Sequence, residues 1–525
     1  MKRRDFLKLS QAASLAYMIN GSPIRTLASN PVLELLAKQT ATSGRVMVLI
    51  QLIGGNDGLN MVIPLDRYSE LSAARSNILI PSTKVLALNG STTTGLHPSM
   101  TGIRDLYDNG LMNIVQSVGY PDPNFSHFRA TDIWMSGSDS NQFINTGWLG
   151  RYLDTKYPGF PSGYPNANMP DPLAIEIGSR TSTLFQGADV NMSMSISSID
   201  SFYNIVNGTV DPAPNTPAGH ELKFIRYIKQ QTEQYNNVIQ KAASLAQNKS
   251  PLWPASGNRL ADQLKIVSRL IAGGLKTPIY IVNLGGFDTH SQQTDATDTT
   301  IGNHANLLGW ISEAVAAFFD DCKLLDTHER VAAMTFSEFG RRIKANASGG
   351  TDHGTTQPLM VFGDGVNPGI IGKSPTLPAN ASTGDNLPMQ HDYRTVYSAI
   401  LADWFQVDTN TMNQILMKNY QIQPVFKKTI DVADTSEYGS DDILGQNYPN
   451  PFTKETTITF GSEGGLTTIQ LFDVNGRLVN NVLQKEMSRG KHQITINRNG
   501  LPPGQYFYKL TNGRNKSTKR LVIAD

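Results

Sequence analysis

The sequence predicts an α/β fold, in which a mostly parallel sheet is flanked by helices, followed by a small C-terminal β-sandwich. Continuous apolar runs such as 46–53 and 278–284 are typical of strands that are buried on both faces. Helical segments alternate with these runs, as expected of a parallel sheet. After residue 447, short alternating segments are separated by Gly, Pro and Asn turns, which is the pattern of a small antiparallel sandwich.

The individual elements follow from the same patterns. Apolar segments predict sheet strands at 46–53, 112–117, 278–284, 331–336 and 358–363. Helices are predicted at 100–109, 126–135, 221–247, 258–273, 301–326 and 392–405. Residues 137–220 are rich in Gly, Ser, Asn and Pro, and we expect long excursions over the top of the sheet. C-terminal strands are predicted at 456–460, 467–473, 492–497, 505–511 and 519–523.

Composition excludes several classes of protein. The chain has 525 residues, of which 39% are hydrophobic and 17% charged, so a large core is expected and global disorder is not. The net charge of +1 gives no reason to expect nucleic acid or an anionic membrane surface as a partner. The single cysteine, Cys322, excludes an intrachain disulfide and a multi-thiolate zinc site.

The N-terminus carries a targeting pattern. Lys2-Arg3-Arg4-Asp5-Phe6-Leu7-Lys8 precedes a moderately apolar stretch that is too short and too polar for a permanent membrane span. The pattern resembles a Tat signal peptide, which we assign to residues 1–30. That resemblance implies export of a folded protein, often with its cofactor already bound.

Polar residues follow three of the predicted strands at the points where the strands end. These segments are Gly54-Gly55-Asn56-Asp57, Gly285-Gly286-Phe287-Asp288-Thr289-His290 and Ser337-Glu338. Because α/β folds place ligands at the carboxyl ends of parallel strands, we expect these groups at one edge of the sheet. A carboxylate beside an imidazole suits a transition metal. An Asx-capped turn with a surface histidine is the alternative for Asp288 and His290.

Two further segments complete the candidate set, namely Ser126-His127-Phe128 at a predicted helix start and Gly350-Thr351-Asp352-His353-Gly354 in a Gly-rich loop. Together with the strand ends, they resemble the DUF1501 family of the alkaline phosphatase and sulfatase superfamily, over residues 45–425. The resemblance implies an alkaline-phosphatase-like fold. It does not imply a settled activity, because the family has none.

The resemblance also implies roles for these residues. The implied metal ligands are Asp57, Ser126, Asp288, His290, Glu338 and His353, and Ser126 is also the implied nucleophile. A hydroxyl at a helix start faces unpaired N–H groups that favour a phosphate or sulfate oxygen. Substrate contacts are expected from Asn56, His127 and Arg341, since a guanidinium matches phosphate geometry.

The chain departs from the superfamily pattern at two places. The Asp288–His290 spacing is two residues rather than four, and Phe339 stands where a second histidine is expected. One or two divalent ions are therefore predicted, and the two sites would be unequal. The site of Asp288, His290 and His353, with nitrogen and oxygen ligands, suits zinc, manganese or iron. The site of Asp57, Ser126 and Glu338, with oxygen ligands alone, suits calcium, magnesium or manganese. No Cys-x-Pro-x-Arg surrounds Ser126, which argues against a formylglycine sulfatase.

Simpler roles remain open for the same residues. Ser126 is also a plausible helix N-cap, and Asp352-His353 is compatible with ordinary turn chemistry. Glu338 could pair with Arg341 or Arg342 across one helical turn. His391 and Asp392 compete for the last ligand position, although Asp392 suits a helix cap better. We expect structural roles for His97, His220, His304, His328 and His492, and a solvated helix face for Asp320 and Asp321.

The C-terminal region carries a second resemblance. Its motifs are Gln446-Asn447-Tyr448-Pro449-Asn450-Pro451-Phe452, Leu471-Phe472-Asp473-Val474-Asn475-Gly476-Arg477, Leu501-Pro502-Pro503-Gly504-Gln505-Tyr506 and Lys519-Arg520-Leu521-Val522-Ile523. They resemble the type A sorting domain of the type IX secretion system of Bacteroidetes. We therefore assign residues 426–446 to a linker and 447–525 to a sorting β-sandwich, which implies a secreted or outer-membrane surface location reached via the periplasm.

Two functions fit these features. The first is a secreted metal-dependent hydrolase of phosphate or sulfate esters, acting on a small-molecule or glycan ester. The second is a non-catalytic, metal-containing surface protein that binds glycans or a partner. Both functions imply the Tat and type IX secretion machineries as partners, with no nucleic acid and no permanent membrane span.

Overall fold

The computed structural model describes residues 44–178, 181–196, 235–427 and 444–524, except 463, 489, 513 and 514, together with the paired strands Met18–Ile19 and Ser22–Pro23. Apart from those two strands, the predicted signal peptide lies outside the described residues, as does most of the predicted linker. The chain divides into two compact units, Ala41–Lys427 and a second unit of Met1–Thr40 with Lys428–Asp525. None of the described helices combines the length and apolar character needed to cross a bilayer.

The larger unit is built on a nine-stranded sheet, beside a separate sheet of three strands. The strands are β1 (Val46–Ile53), β2 (Val62–Pro64), β3 (Leu86–Leu88), β4 (Ser91–Leu96), β5 (Met112–Gly119), β6 (Ala174–Ile177), β7 (Ser193–Ile196), β8 (Ile279–Gly285), β9 (Val331–Phe336), β10 (Gln357–Phe362), β11 (Gly369–Ile371) and β12 (His391–Asp392). The large sheet has the order β11-β5-β10-β9-β1-β8-β6-β7, in which β12 also pairs with β5, and the small sheet has the order β2-β4-β3. Strand β10 runs antiparallel to both of its neighbours, and the other pairings of the large sheet are parallel.

Helices cover both faces of this sheet. The helices are α1 (Gly58–Met61), α2 (Tyr68–Arg75), α3 (Thr101–Asp108), α4 (His127–Ser136), α5 (Trp148–Lys156), α6 (235–245), α7 (Arg259–Ala272), α8 (Asn303–Leu324), α9 (Tyr393–Ala399) and α10 (Thr409–Leu416). Helix α9 continues into a π-helix, Ile400–Trp404, and short 3-10 turns occupy Leu65–Arg67, Ser82–Lys84, Thr183–Phe185 and His328–Arg330.

Strand β1 shows why the continuous apolar runs form the centre of the sheet. Successive side chains of a strand point to opposite faces. Val48 and Ile50 therefore enter the core beneath α3, α7 and α8, whereas Met47 and Leu49 enter the core beneath α4, α5 and α9. A strand with helices on both faces needs apolar residues at every position. The predicted α/β class, with a mostly parallel sheet flanked by helices, is confirmed.

The second unit contains two antiparallel sheets around one apolar core. The strands are β13 (Glu455–Ser462), β14 (Gly465–Asp473), β15 (Leu478–Met487), β16 (Gly490–Asn497), β17 (Gly504–Asn512) and β18 (Asn515–Ile523). One sheet pairs β13 with β16, and the other has the order β15-β14-β17-β18. Strand β15 was not predicted because its sequence is polar and lacks strict alternation, as expected of a half-exposed edge strand.

Candidate metal centre

The central strands deliver the candidate residues to one edge of the sheet. Strand β1 pairs in parallel with both β8 and β9, so the loops that follow Ile53, Gly285 and Phe336 leave at the same edge. Helix α4 starts after the parallel strand β5, and His353 lies in the loop from β9 to β10. Gly54 permits close approach of these loops, because its φ is +124° and a Cβ there would lie 2.4 Å from Asp288 N.

Three imidazoles converge on one carboxylate in these loops. The Nε2 atoms of His290 and His353 are 2.9 Å apart and lie 3.2 and 3.3 Å from Asp288 Oδ1. The Nε2 atom of His127 lies 3.5 Å from Asp288 Oδ2. His127, Asp288 and His353 each offer a ligand atom within 4.8 Å of the others, as a shared metal ion requires.

Each imidazole is held from its far side. His127 Nδ1 lies 2.8 Å from Glu338 Oε1, His290 Nδ1 lies 3.2 Å from Asp352 Oδ1, and His353 Nδ1 lies 2.8 Å from the carbonyl oxygen of Phe125. A carbonyl or ionised carboxylate oxygen can only accept, so each Nδ1 donates. In the neutral imidazole, each Nε2 then carries a lone pair, which is the tautomer that ligates a metal.

These groups fit a divalent cation. The facing Nε2 atoms of His290 and His353 are both acceptors, and their 2.9 Å separation requires a proton or a cation between them. Ligand atoms about 2.1 Å from a shared ion lie about 3.0–3.4 Å from one another in octahedral or tetrahedral geometry. The Nε2 separations from Asp288 and the separation of His290 from His353, 2.9–3.5 Å, match that range, while the group whose ligand atoms all lie within 4.8 Å of one another contains His127, Asp288 and His353 but not His290. Imidazole nitrogens with one carboxylate suit zinc, manganese or iron.

Arg341 supports Asp288 from the interior. Its buried guanidinium donates to Asp288 Oδ1 at 2.7 Å and to the carbonyls of Gly54, Gly55, Phe287 and Thr351. Burial works to raise the pKa of Asp288, but the hydrogen bond and charge of Arg341 outweigh it and lower that pKa. The predicted substrate contact by Arg341 is corrected, because these bonds occupy its guanidinium within the protein.

The structure does not bring Glu338 into the ligand cluster. Its carboxylate is 1% exposed, with Oε1 accepting from Gly54 N and from His127 Nδ1, and Oε2 accepting from Ser337 Oγ at 3.1 Å. Glu338 therefore touches the candidate ligand His127 rather than the space among the Nε2 atoms. Its predicted role as a direct ligand is corrected to that of a group that orients a ligand.

Asp57 also lies outside the cluster. Its buried carboxylate accepts from Arg75 Nη1 at 2.9 and 2.7 Å, from Leu59 N at 3.2 Å and from Gln293 Nε2 at 2.6 Å. Burial works to raise the pKa of Asp57, but the charge of Arg75 and the hydrogen bonds from Arg75 and Gln293 act together to lower it. These donors occupy both oxygens of Asp57, which is 1% exposed, whereas Asp288 is 48% exposed and keeps Oδ2 towards His127, so we do not retain Asp57 as a ligand.

Asn56 is not placed to bind substrate. It is fully buried, its Oδ1 lies 3.0 Å from His304 Nε2, and its Nδ2 contacts the sulfur of Met61. Asn56 thus belongs to the polar interior beneath the loops. His391 does not compete for the cation either, because Gln423 Nε2 donates to its Nδ1 at 2.8 Å and the proton of the neutral imidazole then lies on Nε2. Asp392 caps α9 as expected.

Ser126 stands at the start of helix α4, beside His127. It occupies the N-cap position, is exposed, and makes no side-chain capping bond. Its amide instead donates to Asn124 Oδ1 at 2.9 Å. Ser126 is therefore an exposed residue that immediately precedes His127, and the structure does not bring it into the ligand set.

A family match is consistent with this constellation. The model of the family described as protein of unknown function (DUF1501) matches residues 112–416, more than half of the chain. The chain belongs to the DUF1501 family. Residues 446–524 match the secretion system C-terminal sorting domain, so this DUF1501 protein is secreted or attached to the cell surface. No protein of curated function matches its sequence.

Solved structures resemble this DUF1501 protein at low identity. A protein of the alkaline phosphatase superfamily from Vibrio parahaemolyticus is 12% identical over 91% of this chain and 90% of its own, with a TM-score of 0.34. A sulfatase from Pseudoalteromonas sp. is 9% identical over 90% and 88%, with a TM-score of 0.33. PorZ, a surface component of the type IX secretion system of Porphyromonas gingivalis, is 18% identical over 15% of this chain, with a TM-score of 0.13, and the match spans 11% of PorZ.

Sequence reasoning missed the parts played by His127 and Asp352. His127 was predicted to contact substrate, yet its Nε2 faces Asp288 among the three imidazoles. Asp352 adjoins His353 in sequence but contacts His290, and the hydrogen bond from Asn346 is the main cause that lowers the pKa of Asp352. The adjacency of both residues to predicted site residues was the available signal.

Proposed function

We propose that this protein is a secreted metal-dependent hydrolase of phosphate or sulfate esters, with one cation held by His127, Asp288, His290 and His353. The observation that carries the proposal is the convergence of three Nε2 atoms on Asp288 while every Nδ1 is held by an outer acceptor. Surface histidines that bind no ligand do not require a separate acceptor at each Nδ1 to orient the ring. Such partners are typical of metal-binding histidines.

A divalent cation at this position supplies Lewis-acid chemistry, polarising an ester oxygen and lowering the pKa of a neighbouring hydroxyl. Ser126 is the proposed nucleophile, because its exposed hydroxyl lies at the start of α4, immediately before the ligand His127. Among the described residues, no acceptor contacts the backbone N–H groups of residues 127–129. Such free N–H groups favour the anionic oxygens of a phosphate or sulfate.

The remaining residues keep this arrangement in place. Glu338 and Asp352 hold the imidazoles of His127 and His290 in the required tautomer. Arg341, in the loop after β9, compensates part of the charge of Asp288. Its hydrogen bonds to Asp288 and to the carbonyl of Gly55 connect its own loop to the loops after β8 and β1. The chain therefore orients the ligands before any substrate arrives, which lowers the cost of organising the site during the reaction.

A panel of aryl phosphates and aryl sulfates tests the proposal on protein loaded separately with zinc and manganese. Ser126→Ala should lower turnover on the order of 10³-fold or more while metal content stays constant. His290→Ala should lose both metal and turnover, and Ser348→Ala, an exposed control, should lose neither. Stoichiometric metal binding with no turnover of any ester would contradict the proposed hydrolase activity. Full turnover in Ser126→Ala would exclude Ser126 as the nucleophile.

A further inference from the structure

Three phenylalanines surround the start of helix α4 beside the candidate centre. Phe128 and Phe143 are 88% and 82% exposed, and Phe125 is 38% exposed. Phe125 and Phe128 flank the Ser126-His127 pair, and the carbonyl of Phe125 holds His353. Full burial of one such side chain is worth about 1.5–3 kcal/mol, so exposed rings next to a reactive site indicate a surface that a ligand covers.

Phe143 is held in position before any ligand binds. The guanidinium of Arg129 lies over its ring, 4.0 Å from the ring centroid. The same guanidinium donates to the carbonyls of Ser140 and Gln142, which fixes the 138–146 loop against the first turn of α4. One face of the ring is therefore covered by Arg129, and the opposite face is available for stacking.

The same loop also presents unused amides. The side chains of Asn141, Gln142 and Asn145 are exposed and make no hydrogen bond within the described part of the chain. An apolar lipid or aryl group covering this loop would desolvate these amides without replacing their hydrogen bonds. A sugar offers both an apolar CH face for the rings and hydroxyl groups for the amides, so the composition of the surface favours a carbohydrate.

We propose that this surface, formed by Phe125, Phe128, Phe143, Asn141, Gln142 and Asn145, binds a pyranose ring of the glycan that carries the ester. The inference rests on the proposed function for its position, since the ester group would reach the cation while the sugar covers the phenylalanines. It assigns the substrate class as an anionic glycan ester rather than a free aryl or lipid ester.

An array of neutral, sulfated and phosphorylated oligosaccharides tests the proposal with fluorescently labelled, metal-loaded protein. The best-bound oligosaccharide is then titrated calorimetrically against purified variants. Phe128→Ala and Phe143→Ala should each weaken binding about tenfold, because each removes one stacking surface. Phe143→Trp should retain affinity, and Leu252→Ala, at an exposed apolar residue elsewhere, should bind as the wild type does.

Thermal melting and metal content of each variant separate lost binding from misfolding. Absence of any glycan binding, or affinities of Phe128→Ala and Phe143→Ala equal to that of the wild type, would overturn the proposal. Binding of lipid vesicles or proteins in place of sugars would overturn it as well. If neither the aryl esters nor the bound sulfated or phosphorylated oligosaccharides are cleaved but phenylalanine-dependent glycan binding persists, the glycan-binding proposal is supported and the hydrolase proposal is rejected.

Discussion

At the scale of single residues, Glu338 acts on the candidate centre from one hydrogen bond away. Its Oε1 accepts from both Gly54 N and His127 Nδ1, so it fixes the direction in which His127 Nε2 points. Glu338→Gln keeps the size of the side chain but removes the charge that makes the imidazole a better ligand. We expect metal affinity to fall about 10–100-fold, measured by competition with a chelating dye.

Asp352→Asn is the parallel test to Glu338→Gln, because Asp352 accepts from His290 Nδ1 as Glu338 accepts from His127 Nδ1. Both variants should weaken binding without abolishing it. Metal loss in Glu338→Gln as complete as in His353→Ala would instead make Glu338 a direct ligand. Unchanged affinity in both variants would show that the outer carboxylates do not tune the site.

The buried pair of Asp57 and Arg75 gives a second prediction at this scale. Asp57→Asn leaves the guanidinium of Arg75, which is 0% exposed, without a counter-charge. Urea unfolding should therefore report a loss of about 3–5 kcal/mol, whereas metal content should not change. The double variant Asp57→Asn/Arg75→Met should recover part of that loss. Loss of metal with unchanged stability would restore the ligand role that the sequence predicted for Asp57.

At the scale of elements, helix α8 buries polar groups that its sequence does not reveal. Asp321 was predicted to face solvent, but its buried carboxylate accepts from the backbone of Lys249 and Ser250 and from the side chains of Asn248 and Ser268. The 248–250 segment is far from Asp321 in sequence, so helical periodicity could not reveal the contact. Cys322, by contrast, packs in the core as expected.

The first turn of α8 carries His304, which predicts a pH dependence of stability. Burial lowers the pKa of His304 to about 4 and that of the neighbouring His97 to about 3. Such histidines stay neutral in the folded protein but bind protons in the unfolded chain below about pH 6.5. Stability should therefore fall as the pH drops from about 6.5 to 4, by about 3 kcal/mol for His304 alone.

Urea unfolding at pH 7 and pH 5, with chelator present to remove metal effects, measures this dependence. In His304→Gln the difference in stability between the two pH values should shrink, because one of the buried histidines with a lowered pKa is gone. A pH difference as large as that of the wild type would show that His304 does not carry the effect.

At the scale of the whole molecule, the sequence reveals the sheet and the strand ends but not the pairings across them. The continuous apolar run of β1 predicts that its alternate side chains enter two cores. Asp288, His290 and His353 could be predicted as site residues because they lie after a strand end and in a Gly-rich loop. The bond from His127 to Glu338 joins residues 211 positions apart, and no local pattern encodes such a contact. For the same reason, the pairing of Asp57 with Arg75 could not be distinguished from metal ligation.

The central claim is a single cation shared by three imidazoles and Asp288. Anomalous diffraction from crystals of zinc- or manganese-loaded protein measures it most directly. We predict one strong anomalous peak in the larger unit, about 2.0–2.2 Å from the Nε2 atoms of His127, His290 and His353 and from an oxygen of Asp288. A peak bonded to Asp57 or Glu338, or no peak among the three imidazoles, would contradict the claim.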